Sequence, residues 1–214
     1  GLVETSDVAN GLVTITNGGE LTITGTGDMD LEGAFLQAGA VVVSTAGDIE
    51  TTDDNVTFES AVTLTGAVDI DTGTGAGTIA FNDTLNGAQT LALTAGSGNI
   101  DFDGIVGGTT PLGAVTIHSA TNVTADSAFS AASLRQVAGT GTTTFAGALS
   151  TTVTEGILVD GTNFDFNDTV TLTLGDLDVD ASGTVRFNGL VTTSDVANGL
   201  VTISNAGLLT ITAG

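Results

Sequence analysis

The sequence predicts an all-β chain: a parallel β-helix, or β-solenoid, with about 21 residues and three short strands per rung. Three observations carry that prediction. Phenylalanine returns at nearly constant spacing, apolar and polar residues alternate with period two between the phenylalanines, and glycine-rich corners divide the alternating pieces. Alternation of this kind puts successive side chains on opposite faces of a strand, and no segment shows the three-to-four-residue spacing of an amphipathic helix.

Phe58, Phe81, Phe102, Phe145, Phe166 and Phe187 lie 20 to 23 residues apart once Ala125 is taken as the occupant of the one gap. Two residues before each position stand Val56, Ile79, Ile100, Val123, Thr143, Phe164 and Val185, which completes one inward-facing strand. Four residues after stand Val62, Leu85, Val106, Phe129, Leu149, Val170 and Val191, which open a second strand. The residue directly after the column is Glu59, Asn82, Asp103, Asp126, Ala146, Asn167 and Asn188, almost wholly polar, so a corner belongs there. A third strand is marked by Val68/Ile70, Leu91/Leu93, Val115/Ile117 and Leu177/Val179, with Gly73–Gly77 and Gly96–Gly98 as corners. The phenylalanines then form an internal stack, and Asn82, Asn167 and Asn188 form a polar corner column. A sandwich or an up-and-down barrel would not bring like residues back to one rung position.

A longer repeat encloses this one. Residues 1–26 return as residues 189–214 with 20 of 26 positions identical, including Ser6-Asp7-Val8-Ala9-Asn10-Gly11-Leu12-Val13-Thr14-Ile15 unchanged as Ser194 to Ile203. Residues 1–188 therefore read as one solenoid unit and 189–214 as the start of the next tandem copy, with no separate domains. At roughly nine rungs per unit, each unit spans about 40 Å. This reading expects the unit to be entered and left in the same register, with no cap at either end.

The composition excludes several classes of function. The chain holds 25 acidic residues against two arginines and no lysine, a formal charge of −23. Neutralising nucleic-acid phosphates takes clustered Lys and Arg, so nucleic-acid partners are excluded. Anionic membrane surfaces are disfavoured on the same ground, and no stretch approaches the length of a membrane span, so membrane insertion is not expected. Without cysteine there is no disulfide, thiolate metal site or thiol nucleophile. A hydrophobic share of 41% is nonetheless enough for a packed core.

The units Gly98-Asn99-Ile100-Asp101-Phe102-Asp103-Gly104, Gly139-Thr140-Gly141-Thr142-Thr143-Thr144-Phe145 and Gly161-Thr162-Asn163-Phe164 resemble the giant bacterial surface proteins built of β-strand repeats, similar to filamentous-haemagglutinin-type exoproteins. The resemblance covers essentially the whole chain and rests on repeat patterning. It implies a right-handed parallel β-helix, secretion, and a role as stalk, adhesin or surface fibre.

No constellation of catalytic residues emerges, and an enzyme is not expected. His118 is the only histidine and reads as an outward side chain in the column of Asp71 and Asp180. Tyr and Trp, the usual sugar platforms, are absent. The acidic doublets Asp69/Asp71 and the run Asp176/Asp178/Asp180 place carboxylates on one strand face, and calcium is the one cofactor for which they make a case. Against it, Ala181 stands where an EF-hand-like loop needs glycine and Phe187 where it needs the bidentate glutamate. The Thr-x-Thr pieces Thr14–Thr16, Thr22–Thr24, Thr63–Thr65, Thr171–Thr173 and Thr210–Thr212 suggest an ice-binding ladder, but the copies read as falling at different rung positions. Asn55, Asn82, Asn122 and Asn167 open N-x-T sequons. Arg186 follows Asp165 by one rung, so the two should be outward neighbours.

The expectation that follows is structural: a repeat segment of a long extracellular or cell-surface fibre whose partner is itself, in tandem or stacked head to tail. The alternative is an adhesin rod that binds glycans or a surface receptor, with Gly107-Gly108-Thr109-Thr110-Pro111 as the one loop that lengthens its rung.

Overall fold

The computed structural model describes residues 1–6, 11–195 and 199–212; the middle of the repeated decapeptide, residues 7–10 and 196–198, lies outside the described residues. Among the described residues every regular element is a strand, and strands pair in parallel with the equivalent strand of the next rung. The chain visits three faces in fixed order. The first face begins with Val3–Glu4, Met29–Leu31 and Ile49–Thr51. The second begins with Val13–Ile15, Phe35–Gln37 and Val56–Phe58, and the third with Leu21–Ile23, Val43–Thr45 and Val62–Leu64. The second face runs to ten strands, ending at Leu209–Ile211.

Three-residue strands follow from the sequence. An apolar–polar–apolar triplet puts two side chains inside and one outside, and Val56–Phe58 and Val170–Leu172 are buried, half-buried and buried in turn. Glycine or Asn/Asp then turns the corner. Two corners show why glycine is required: a Cβ on Gly104 would lie 2.4 Å from the carbonyl carbon of Asp83, and one on Gly189 2.3 Å from that of Asp168. Asp83 and Asp168 belong to the repeated tetrapeptide Phe-Asn-Asp-Thr, and each accepts the following threonine N–H at 2.6 Å.

One corner is missing. Ser130-Ala131-Ala132-Ser133 contains no Gly, Pro, Asn or Asp, so the chain runs straight through as the eight-residue strand Phe129–Gln136. Its first half pairs with Leu149–Thr151 on the third face and its second half with Ile157–Gly161 on the first. The preceding strand Leu112–Ser119, also eight residues, lies against it. The first and third faces therefore merge mid-rod into one 13-stranded sheet.

The repeated stretch does not return in register. Val3–Glu4 lies on the first face beside Met29–Leu31, whereas the equivalent Val191–Thr193 lies on the third face beside Val170–Leu172. Val13–Ile15 is on the second face and its copy within Val201–Asn205 is on the first. Leu21–Ile23 is on the third face and Leu209–Ile211 on the second. The expectation of equal register is thus corrected: 188 residues take the chain eight rungs and two further faces, because the rungs average slightly more than 21 residues.

Candidate functional site

One continuous stack of phenylalanine rings runs through the aliphatic core. Phe58, Phe81 and Phe102 lie nearly parallel with centroids 5.4 and 5.6 Å apart, and Phe145, Phe166 and Phe187 continue the stack at 5.8 and 4.7 Å. Offset contacts of this kind add about 0.5–1.5 kcal/mol each beyond area burial. Two members come from outside the Phe58–Phe187 column. Phe129, from the third face, bridges Phe102 and Phe145 where the column itself offers Ala125. Phe35 starts the stack, 5.4 Å from Phe58, on the rung whose column position is Gln37. Gln37 is fully buried and hydrogen-bonded: its Nε2 donates to Asn17 Oδ1 and Gly39 O, and its Oε1 accepts from Ser60 N and Oγ.

Asn82, Asn167 and Asn188 lie exposed at the corner after the second face. Asn167 and Asn188 are joined, Nδ2 of Asn188 donating to Oδ1 of Asn167 at 2.7 Å; Asn82 is flanked in its column by Glu59 and Asp103 instead. A second asparagine ladder stands at the corner before that face. Asn55 Oδ1 accepts Thr78 N–H, Asn99 Oδ1 accepts Asn122 N–H, Asn122 Oδ1 accepts Thr142 N–H and Asn163 Oδ1 accepts Thr184 N–H. Each carboxamide satisfies a backbone donor that the turn would leave orphaned. The signal was in the sequence, since Asn or Thr precedes most strands of this face, but strand alternation does not flag corners.

The acidic candidates fall into two groups. Asp69 and Asp71 point outward from Val68–Asp71, and Asp28, Asp48 and Asp69 form a ladder in which each carboxylate oxygen accepts the backbone N–H of the next aspartate, at 3.1 and 2.7 Å. Partial burial raises the Asp69 pKa above its ordinary 3.8, Asp48 and Asp71 add to the rise, and His118 opposes it. Asp176 accepts the Leu200 N–H at 2.9 Å, Asp178 lies between Leu158 and Thr202, and Asp180 lies between Asp160 and Ser204. Four first-face strands separate the two groups. Among the described residues no three acids or histidines converge in a set that could hold a metal ion.

His118 does not stand in the column of Asp71. Asp71 pairs with Thr94, and Thr94 with Ser119, because the register slips between Leu93 and Thr94 and leaves His118 as the extra residue of a bulge. Arg186 and Asp165 are register partners and form a surface ion pair at 3.4 Å, the arginine exposed and the aspartate half-buried, worth about 0–1 kcal/mol. The Gly107–Pro111 turn is tied down by Asn86 Oδ1, which accepts from Thr109 N and Oγ1 at 2.9 Å.

The outward side chains of the third face are uncharged and polar: Thr22 beside Ser44 beside Thr63 beside Asn86, then Ser130 beside Ser150 beside Thr171 beside Thr192. Thr22, Thr63 and Thr171 share one column while Thr14 and Thr210 lie on the second face, so the Thr-x-Thr copies do occupy different rung positions. Acids such as Asp30 and Glu50 occupy the first face.

At the last rung the core opens into a cavity of about 620 Å³ lined by Phe187, Leu190, Val191, Val201, Ile203 and Ile211. Leu190 is 70% exposed and Ile211 67%, against 1% for Phe187 one rung inward. Leu2 and Leu12 are exposed at the other end. Comparison with protein-family models, curated proteins and solved structures finds no match.

Proposed function

We propose that the chain is a structural repeat segment of a long β-helical fibre, held outside the cell or on its surface, and that its partner is the next copy of itself. The observation that carries this is the environment of the repeated stretch. In the first copy, Val13–Ile15 and Leu21–Ile23 have a rung stacked above them, on Phe35–Gln37 and Val43–Thr45. In the second copy the same residues have a rung stacked below them, on Leu177–Ala181 and Val185–Phe187. Residues with a complementary neighbour on either side suit an interior rung.

The mechanism is mechanical. Rung-to-rung hydrogen bonds and the ring stack make a stiff rod whose stability accumulates from nearest-neighbour contacts. Repulsion between acidic exteriors keeps rods soluble and apart. A chain without lysine offers trypsin-like proteases little to cleave, which suits an extracellular setting. These features, with the resemblance to bacterial surface exoproteins, support the fibre over an adhesin rod, whose one local argument is the Gly107–Pro111 turn.

Denaturant unfolding of chains with one, two and three tandem units tests the reading. The midpoint should rise with unit number, because each junction buries two otherwise open ends. Midpoints that stay at the single-unit value would contradict it.

A further inference from the structure

The end cavity, the first-face acids and the third-face hydroxyl column all bear on one relationship, the displacement of the repeated stretch between faces. We propose that successive 188-residue units dock end to end with a rotation of one face, so that the fibre is a screw in which each surface feature moves to the adjacent face at every unit boundary. The inference rests on the fibre reading above and adds its geometry.

Leu209–Ile211 sits on Val185–Phe187, and its equivalent Leu21–Ile23 carries Val43–Thr45. At a junction this one strand therefore joins the second face of the unit below to the third face of the unit above. Val201–Asn205 likewise sits on Leu177–Ala181, and its equivalent Val13–Ile15 carries Phe35–Gln37, which joins the first face to the second. Val191–Thr193 sits on Val170–Leu172, and its equivalent Val3–Glu4 carries Met29–Leu31, which joins the third face to the first. All three junctions displace the chain by the same single face.

The stretch tolerates this because its triplets are interchangeable: Val-Thr-Ile and Leu-Thr-Ile put two aliphatic side chains inside and one threonine outside on whichever face they occupy. The phenylalanine stack also changes face there. Phe187 is followed in its column by Ile211, whereas the residue equivalent to the Val13 that carries Phe35 is already on the first face, at Val201.

The consequence is a pattern of binding surface. The acidic ladder of Asp30 and Glu50 in one unit stands over the Thr171–Thr192 column of the unit below. No face is uniformly acidic or uniformly hydroxyl-bearing along the rod. The pattern closes after three units, which is 26 rungs or about 125 Å. A ligand that reads one face of one unit, whether a divalent cation on the acids or a flat lattice on the hydroxyls, meets the same face again only at that interval.

Cysteine pairs read the offset directly, since the chain has no cysteine of its own. Neighbouring rungs place paired Cα atoms about 4.8 Å apart, within the range a disulfide spans. In the full chain, Asp178→Cys with Thr202→Cys and Thr14→Cys with Leu36→Cys should close on mild oxidation. Arg186→Cys with Thr202→Cys and Thr14→Cys with Asp30→Cys should stay open. All of these side chains point outward, so circular dichroism should show an unchanged β fold. Closure of Arg186→Cys with Thr202→Cys, or of Thr14→Cys with Asp30→Cys, would keep the stacking and overturn the rotation. Closure of neither pair involving Thr202→Cys would overturn the rotation together with the stacking it rests on.

Discussion

Phe129 occupies the space that Ala125 leaves in the ring stack. Its centroid is 5.5 Å from that of Phe102 and 5.6 Å from that of Phe145, and its ring stands at 82° to both. A ring from the third face thus keeps the column continuous where the second face supplies only a methyl group. Phe129→Ala should cost about 3–5 kcal/mol, the range for a buried phenylalanine truncation. Ala125→Phe alone should also destabilise, by about 1–3 kcal/mol, through overpacking. The double variant should lose less than the sum of the two. Chemical denaturation of all three measures the coupling, and strict additivity would show that the two positions do not share one space.

Thr151 points inward between Ala131 and Leu172, and its buried hydroxyl has no hydrogen-bond partner among the described residues. Thr151→Val removes the orphaned group at nearly constant shape and should raise stability by about 1 kcal/mol. Thr143 provides the control. Its buried hydroxyl donates to Gln136 Oε1 at 2.8 Å, so Thr143→Val should destabilise.

Gly104 stacks directly on the Asp83 backbone. Gly104→Ala forces neighbouring rungs apart at that corner and should cost about 1–3 kcal/mol, comparable to overpacking a core. Thermal unfolding of this variant beside Gly18→Ala, where a Cβ meets nothing within 4 Å, separates the contact from a general glycine effect.

Asp69 and Asp101 both have pKa values raised above 3.8, each first by partial burial and then by neighbouring aspartates. A carboxyl whose folded pKa exceeds its unfolded pKa binds more protons in the folded state, so its contribution to stability falls as pH rises through that interval. Acidifying from pH 7 should therefore stabilise the rod until the pH passes the ordinary aspartate value, below which these two groups add nothing further. Asp69→Asn should raise the melting temperature at pH 7 and reduce the gain on acidification. A melting temperature for Asp69→Asn that matches the parent at every pH would contradict this.

Much of the rod was legible because period-two alternation reports directly which side chain faces in. Val56 and Phe58, or Val170 and Leu172, could be assigned to the core from spacing alone, and Phe58 through Phe187 could be aligned as a stack. Three features could not be read that way. Phe35 and Phe129 fill the stack from neighbouring columns, since only packing reveals that Gln37 and Ala125 leave room in the phenylalanine column. His118 was misplaced because a bulge adds one residue without any change in the surrounding alternation. The Asn55, Asn99, Asn122 and Asn163 ladder sits at corners, where side chains turn to meet the next rung's N–H and follow no strand periodicity. The face offset escaped for a related reason: strands of three residues joined by corners of varying length let a mean rung length slightly above 21 accumulate into the loss of one face over 188 residues.

The central claim is that copies of this unit continue one rod across their boundaries. Electron cryo-microscopy of a chain of several tandem units tests it most directly. The account predicts an uninterrupted layer spacing of about 4.8 Å through every boundary, and an advance of about 42 Å per unit with the surface turning by one face each time. Separate particles of one unit each, or a break in the layer spacing at the boundaries, would contradict it.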